Sequence, residues 1–123
     1  MARILIVDDD QDLAEACQLV LKSEGHDVDW AASRNAGMKK IEESKPDLLI
    51  LDVMMDQPDD GIQMAQDLQR KSRDFPILML TSISKVTGVS YDKDNEMVPV
   101  DAFMEKPIKP EILIQKVKDL LNG

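Results

Sequence analysis

Three stretches of the chain are continuously apolar: Ile4-Leu5-Ile6-Val7, Leu48-Leu49-Ile50-Leu51 and Pro76-Ile77-Leu78-Met79-Leu80. A run with no polar alternation fits a central parallel strand covered on both faces. Residues 28–32 and 102–104 are shorter and more mixed, as expected of strands nearer an edge or partly exposed. Between these runs the apolar positions change to helical spacing. Residues 12–24 place Leu13, Cys17, Val20 and Leu21 on one stripe, with Gly25 as the stop. Ser33 can cap a helix to about Ser44, ended by Lys45-Pro46. Residues 60–72 carry Ile62, Ala65 and Leu68, and a last helix opens at Pro110-Glu111 and runs through Ile114, Val117 and Leu121.

This strand–helix alternation predicts an α/β domain built on an open, doubly wound parallel sheet with right-handed crossovers. Such sheets bind ligands outside the carboxyl ends of their strands, where the strand order reverses. The 123 residues suit one domain spanning 1–123, with no repeat or linker. One stretch resists the pattern. Residues 83–100 should hold a helix between the last two strands, yet they contain Gly88, Pro99 and several β-branched residues, without a clean apolar stripe. A short, displaced or mobile element is expected there.

Composition narrows the function. Twenty-four acidic residues against 15 basic ones give a net charge of -9, and only one Trp, one Tyr and two Phe are present. Direct nucleic-acid binding by this domain is therefore disfavoured, for want of both cations and stacking platforms. No apolar run has membrane-spanning length, so no membrane partner is expected and a cytoplasmic location is the default. Cys17 is the only cysteine and reads as a small core residue, and His26 is the only histidine, in a Gly25-His26-Asp27 turn. Neither a thiolate cluster nor a multi-histidine site is available.

The chemistry gathers at strand ends. The first central run leads into Asp8-Asp9-Asp10, the second into Asp52, the third into Thr81, and the last strand into Glu105-Lys106-Pro107. Carboxylates crowded on one rim repel one another, by about 4 kcal/mol for a pair ~4 Å apart at an effective dielectric of 20. One of them must stay protonated, or a cation must sit among them. An all-oxygen set favours Mg²⁺. Lys106 could be a structural ion-pair partner or a point charge for a phosphoryl oxygen. Thr81 could end a strand or donate a hydroxyl to the same rim. An aspartate can act as the nucleophile in phosphoryl transfer, where the transition state needs charge neutralisation and positioning. Asp52, alone at the end of the most hydrophobic strand, is assigned that role, with Asp8 and Asp9 holding the metal.

These residues resemble the receiver domains of two-component response regulators. The resemblance covers essentially the whole chain and rests on four ordered motifs: Ile4 to Asp9, Pro46 to Asp52, Pro76 to Ser82, and Phe103 to Pro107. It implies a flavodoxin-like, five-stranded sheet of order 2-1-3-4-5. It implies that Asp52 receives phosphate from a sensor histidine kinase, a phosphotransfer protein or a small phosphodonor. Asp9, Asp52 and the main-chain carbonyl of Met54 would ligate Mg²⁺, with Asp8 acting through water. Lys106 and Thr81 would contact the phosphoryl group, and Phe103 would be the switch aromatic that follows the threonine. Such a domain catalyses only its own phosphorylation and dephosphorylation, and works as a monomer or weak dimer toward an output partner the residues do not name.

Several positions depart from the family pattern. Asp56 stands where a proline is usual, Pro58 comes later, and Gly61 arrives one residue late, so the loop from Met54 to Asp60 is longer and more acidic. Pro99-Val100 replaces the usual Gly-Ala pair, and the irregular 83–100 stretch falls on the family's fourth helix, part of its usual output and dimerisation face. These changes leave a phosphate-independent interaction scaffold as the alternative reading. A metal-dependent phosphohydrolase is disfavoured because Asp52 is followed by Val53-Met54 and not by a second aspartate two residues on.

Overall fold

A computed structural model describes residues 2–52, 60–71, 74–81, 100–105 and 108–122. Five strands and four helices follow in the order β1 (Arg3–Val7), α1 (Gln11–Ser23), β2 (Asp27–Ala31), α2 (Arg34–Glu43), β3 (Leu48–Asp52), α3 (Asp60–Arg70), β4 (Ile77–Thr81), β5 (Ala102–Glu105) and α4 (Pro110–Asn122). All strand pairs are parallel, and the order across the sheet is β2-β1-β3-β4-β5. The sheet agrees with the expected doubly wound topology. Of the irregular stretch 83–100, all but the buried Val100 lies outside the described residues.

Strand periodicity sorts the apolar runs onto two faces. Leu5, Val7, Leu49, Leu51, Ile77 and Met79 pack with Ile41 of α2 and Met64, Ala65 and Leu68 of α3. Their neighbours Ile4, Ile6, Leu48, Ile50, Leu78 and Leu80 pack on the opposite face with Ala14, Cys17 and Leu21 of α1 and Leu113 and Val117 of α4. Every residue of β3 is buried, as its uninterrupted hydrophobicity requires. The mixed strands β2 and β5 lie at the two edges, and β2 alternates exposed and half-buried positions before Ala31. Cys17 is a buried core residue.

Local chemistry fixes the helix ends. Asp10 caps α1 by accepting from the Leu13 amide at 3.2 Å, and Ser33 caps α2 by accepting from the Ala36 amide at the same distance. Gly25 follows α1 at φ 92°, a left-handed conformation that a side chain would disfavour. β2 begins at Asp27, one residue earlier than its apolar pattern suggests, because the Asp27 amide already donates to Ala2 O at 2.9 Å.

At the amino end of the sheet, side chains placed just before one strand accept amides from its neighbour. Asp47, ahead of β3, accepts from the Arg3 amide at 2.8 Å and returns its own amide to Arg3 O at 2.7 Å. Asp101, ahead of β5, does the same for Ile77, at 2.8 Å and 3.0 Å. His26, ahead of β2, accepts from the Ala2 amide through Nδ1 at 3.1 Å, which assigns its proton to Nε2.

Candidate functional site

The β1–β3 register pairs Val7 with Leu51, so the residues that follow, Asp8 and Asp52, emerge side by side at the carboxyl end of the sheet. Asp8 is 0% exposed and Asp52 5%, whereas Asp9 is exposed. One carboxylate oxygen from each of Asp8, Asp9 and Asp52 lies within 4.8 Å of the others. At that separation two ionised carboxylates repel by roughly 3 kcal/mol at an effective dielectric of about 20. Burial raises that cost, since two of the three have little water to screen them.

The backbone around Asp8 is held on several sides. Its amide donates to Ala31 O at 3.1 Å, and its carbonyl accepts from Trp30 Nε1 at 2.7 Å. Its Oδ1 accepts from the Asp10 amide at 2.9 Å, and Asp10 in turn caps α1. The acidic run is therefore divided in role. Asp10 belongs to the helix, while Asp8 and Asp9 belong to the pocket.

An all-carboxylate set, buried at the base and open at Asp9, fits a hard divalent cation such as Mg²⁺, which takes one or two carboxylates and keeps part of its water. Thr81 ends β4 beside this rim: Leu80 pairs with Asp52, and Thr81 pairs with Glu105 of β5. Phe103 is half-buried and packs against the face that carries α2 and α3. Met54, Lys106 and the Met54 to Asp59 part of the acidic loop lie outside the described residues. A hollow of about 480 Å³ opens at the opposite rim between Glu24, His26, Asp47 and Lys118. Charge geometry marks the site.

Two contributors were not separable in the sequence. Trp30 lies 22 positions from Asp8, on an edge strand, and only tertiary structure brings its indole to that carbonyl. Asp10 could have been read as an N-cap from its place three residues before Leu13, but the adjacent acids mask that signal.

The doubly wound sheet carries its acids at the carboxyl rim, and comparison with known proteins gives the family. The profile of the response regulator receiver domain matches residues 4–118. The alkaline phosphatase synthesis transcriptional regulatory protein PhoP of Bacillus subtilis is 36% identical over 124 residues, covering 98% of this chain and 48% of that protein. The DNA-binding dual master transcriptional regulator RpaA of a Synechocystis strain is 32% identical, covering 99% of this chain and 50% of its own length. A candidate response regulator of Chloroflexus aurantiacus superposes with a TM-score of 0.86 at 31% identity, covering 99% of this chain and 98% of that one.

The chain belongs to the response regulator receiver domain family of two-component signalling, with its flavodoxin-like fold. Members are signalling domains and not enzymes in the ordinary sense; they bind Mg²⁺ at an acidic pocket and interact with histidine kinases or phosphotransfer proteins. The chain spans about half the length of the curated relatives it matches. Among the described residues, no helix is long and apolar enough to cross a membrane.

Proposed function

We propose that Asp52 is the phosphoacceptor and that the chain forms one receiver unit over residues 1–123. The observation carrying this reading is the convergence of Asp8, Asp9 and Asp52 within 4.8 Å at the ends of two adjacent buried strands. Ionised Asp52 attacks phosphorus with a carboxylate oxygen, forming the acyl phosphate as the bond from phosphorus to the donor's nitrogen or oxygen breaks. Asp9, Asp52 and the Met54 carbonyl would hold Mg²⁺, with Asp8 acting through water. When bound, the ion neutralises charge on the phosphoryl oxygens and relieves the repulsion among the acids.

Lys106 and Thr81 contact the transferred group, and Phe103 follows Thr81, biasing a two-state equilibrium of the output surface. The phosphodonor is a sensor histidine kinase, a phosphotransfer protein or a small phosphodonor. The setting is cytoplasmic, and the unit acts as a monomer or weak dimer. Incubation with Mg²⁺ and acetyl phosphate, followed by intact-mass measurement, tests the reading. One added phosphoryl group on the wild type and none on Asp52→Asn is expected. An unlabelled wild type, beside a labelled reference receiver, would sink it.

A further inference from the structure

We infer that Trp30 is a positioning residue for the metal-holding acids; the inference rests on the reading of Asp8, Asp9 and Asp52 as a cation site. The carbonyl that receives the Trp30 indole at 2.7 Å belongs to the peptide plane joining Asp8 to Asp9. A peptide unit is rigid, so fixing its oxygen fixes its rotation about the chain. That rotation sets the relative directions in which Asp8 and Asp9 project. The preceding peptide is fixed as well, because the Asp8 amide donates to Ala31 O at 3.1 Å. Two consecutive residues of β2 thus orient both peptide planes that flank Asp8.

The device depends on the indole N–H and not on bulk alone. Trp30 is partly buried and packs on the face that carries α1 and α4, so an apolar replacement could fill the space but could not donate. Partners that orient ligating residues commonly govern metal affinity. Trp30 acts through a main-chain group, several bonds further from the ion than a direct partner of a ligating carboxylate. Its loss is expected to weaken divalent-cation binding by about threefold to tenfold.

Trp30 is the only tryptophan, so residue-specific incorporation can exchange its indole for benzothiophene without touching any other site. Mn²⁺ binding is measured by the electron paramagnetic resonance of free Mn²⁺ for four proteins: wild type, Trp30→Phe, the benzothienylalanine form and Asp52→Asn. Thermal unfolding without metal is followed in parallel. The inference expects the benzothienylalanine and Phe forms to bind at least about threefold more weakly, with the metal-free midpoint of the benzothienylalanine form unchanged. Wild-type affinity in the benzothienylalanine form overturns the role of Trp30 while leaving the cation site standing. A loss seen only in Trp30→Phe traces to packing and overturns it too. A wild type that does not bind Mn²⁺, or an Asp52→Asn form that binds as tightly, overturns the cation-site reading and this inference with it.

Discussion

Asp29, on the edge strand β2, meets Lys40 Nζ at 3.0 Å and also accepts from the Trp30 amide at 2.8 Å. Partial burial pushes its carboxyl upward, but the Lys40 and Trp30 hydrogen bonds and the charges of Lys40 and Lys22 outweigh that and hold it below its ordinary 3.8. A carboxyl depressed in the folded state stabilises the fold above pH 3.8 and loses that contribution as pH falls through the lower folded value. The Asp29 side chain is 64% exposed, so solvent screening limits the pair to no more than about 0.5 kcal/mol. Lys40→Met is expected to raise the Asp29 midpoint in a carboxyl-resolved NMR titration while barely moving the urea midpoint. At the pocket the governing effect is repulsion between the carboxylates. Without a divalent cation, Asp9→Asn should stabilise the chain by about 1 kcal/mol, because it removes one of the repelling charges. Mg²⁺ should stabilise the wild type more than the variant, as urea unfolding with and without the ion will show.

Among the elements, α2 sits close against β1 and α3 at Gly37. A Cβ on Gly37 would lie 2.7 Å from Val7 Cγ2 and 3.1 Å from Met64 Cε. Val7 is β-branched and fully buried in β1, so it has little room to yield. Gly37→Ala gains up to about 1 kcal/mol of helix propensity but meets an overpacking cost of about 1–3 kcal/mol. Net destabilisation is expected in chemical denaturation, and Val7→Ala in the same chain should recover part of it. This contact also shows where sequence patterns stop. The runs at residues 4–7 and 48–51 announce buried strands because they lack a polar face, but for that reason they do not say which residue faces which helix layer. Ile4 and Leu5 enter different cores only once the register with β3 is known. Ser33 was legible as a cap, since it stands between the β2 run and the helical stretch that Lys45-Pro46 ends. Asp8, Asp9 and Asp52 were legible as rim residues because strand ends share a rim in this topology. Trp30 was not, since its partner is distant in sequence and is a main-chain atom.

At the scale of the whole molecule, the sheet is buried on both faces and the acids sit at one end of it, so the pocket can signal only through the elements around its rim. In the proposed mechanism Lys106 links the phosphoryl group to that response. Lys106→Ala should retain partial labelling by acetyl phosphate, yet the difference in hydrogen exchange between labelled and unlabelled chain should shrink. An undiminished difference would remove Lys106 from the switch. The curated relatives PhoP and RpaA, about twice as long as this chain, are transcriptional regulators.

The paired bonds at the amino end of the sheet also bear on how the chain is made. β1 leaves the ribosome before either of its neighbours, yet its opening amides at Ala2 and Arg3 are received by His26 and Asp47. A nascent chain that has exposed only its first strand therefore carries an apolar ribbon with both edges open. Closure of both its edges waits for β3 to emerge, with about two fifths of the domain made.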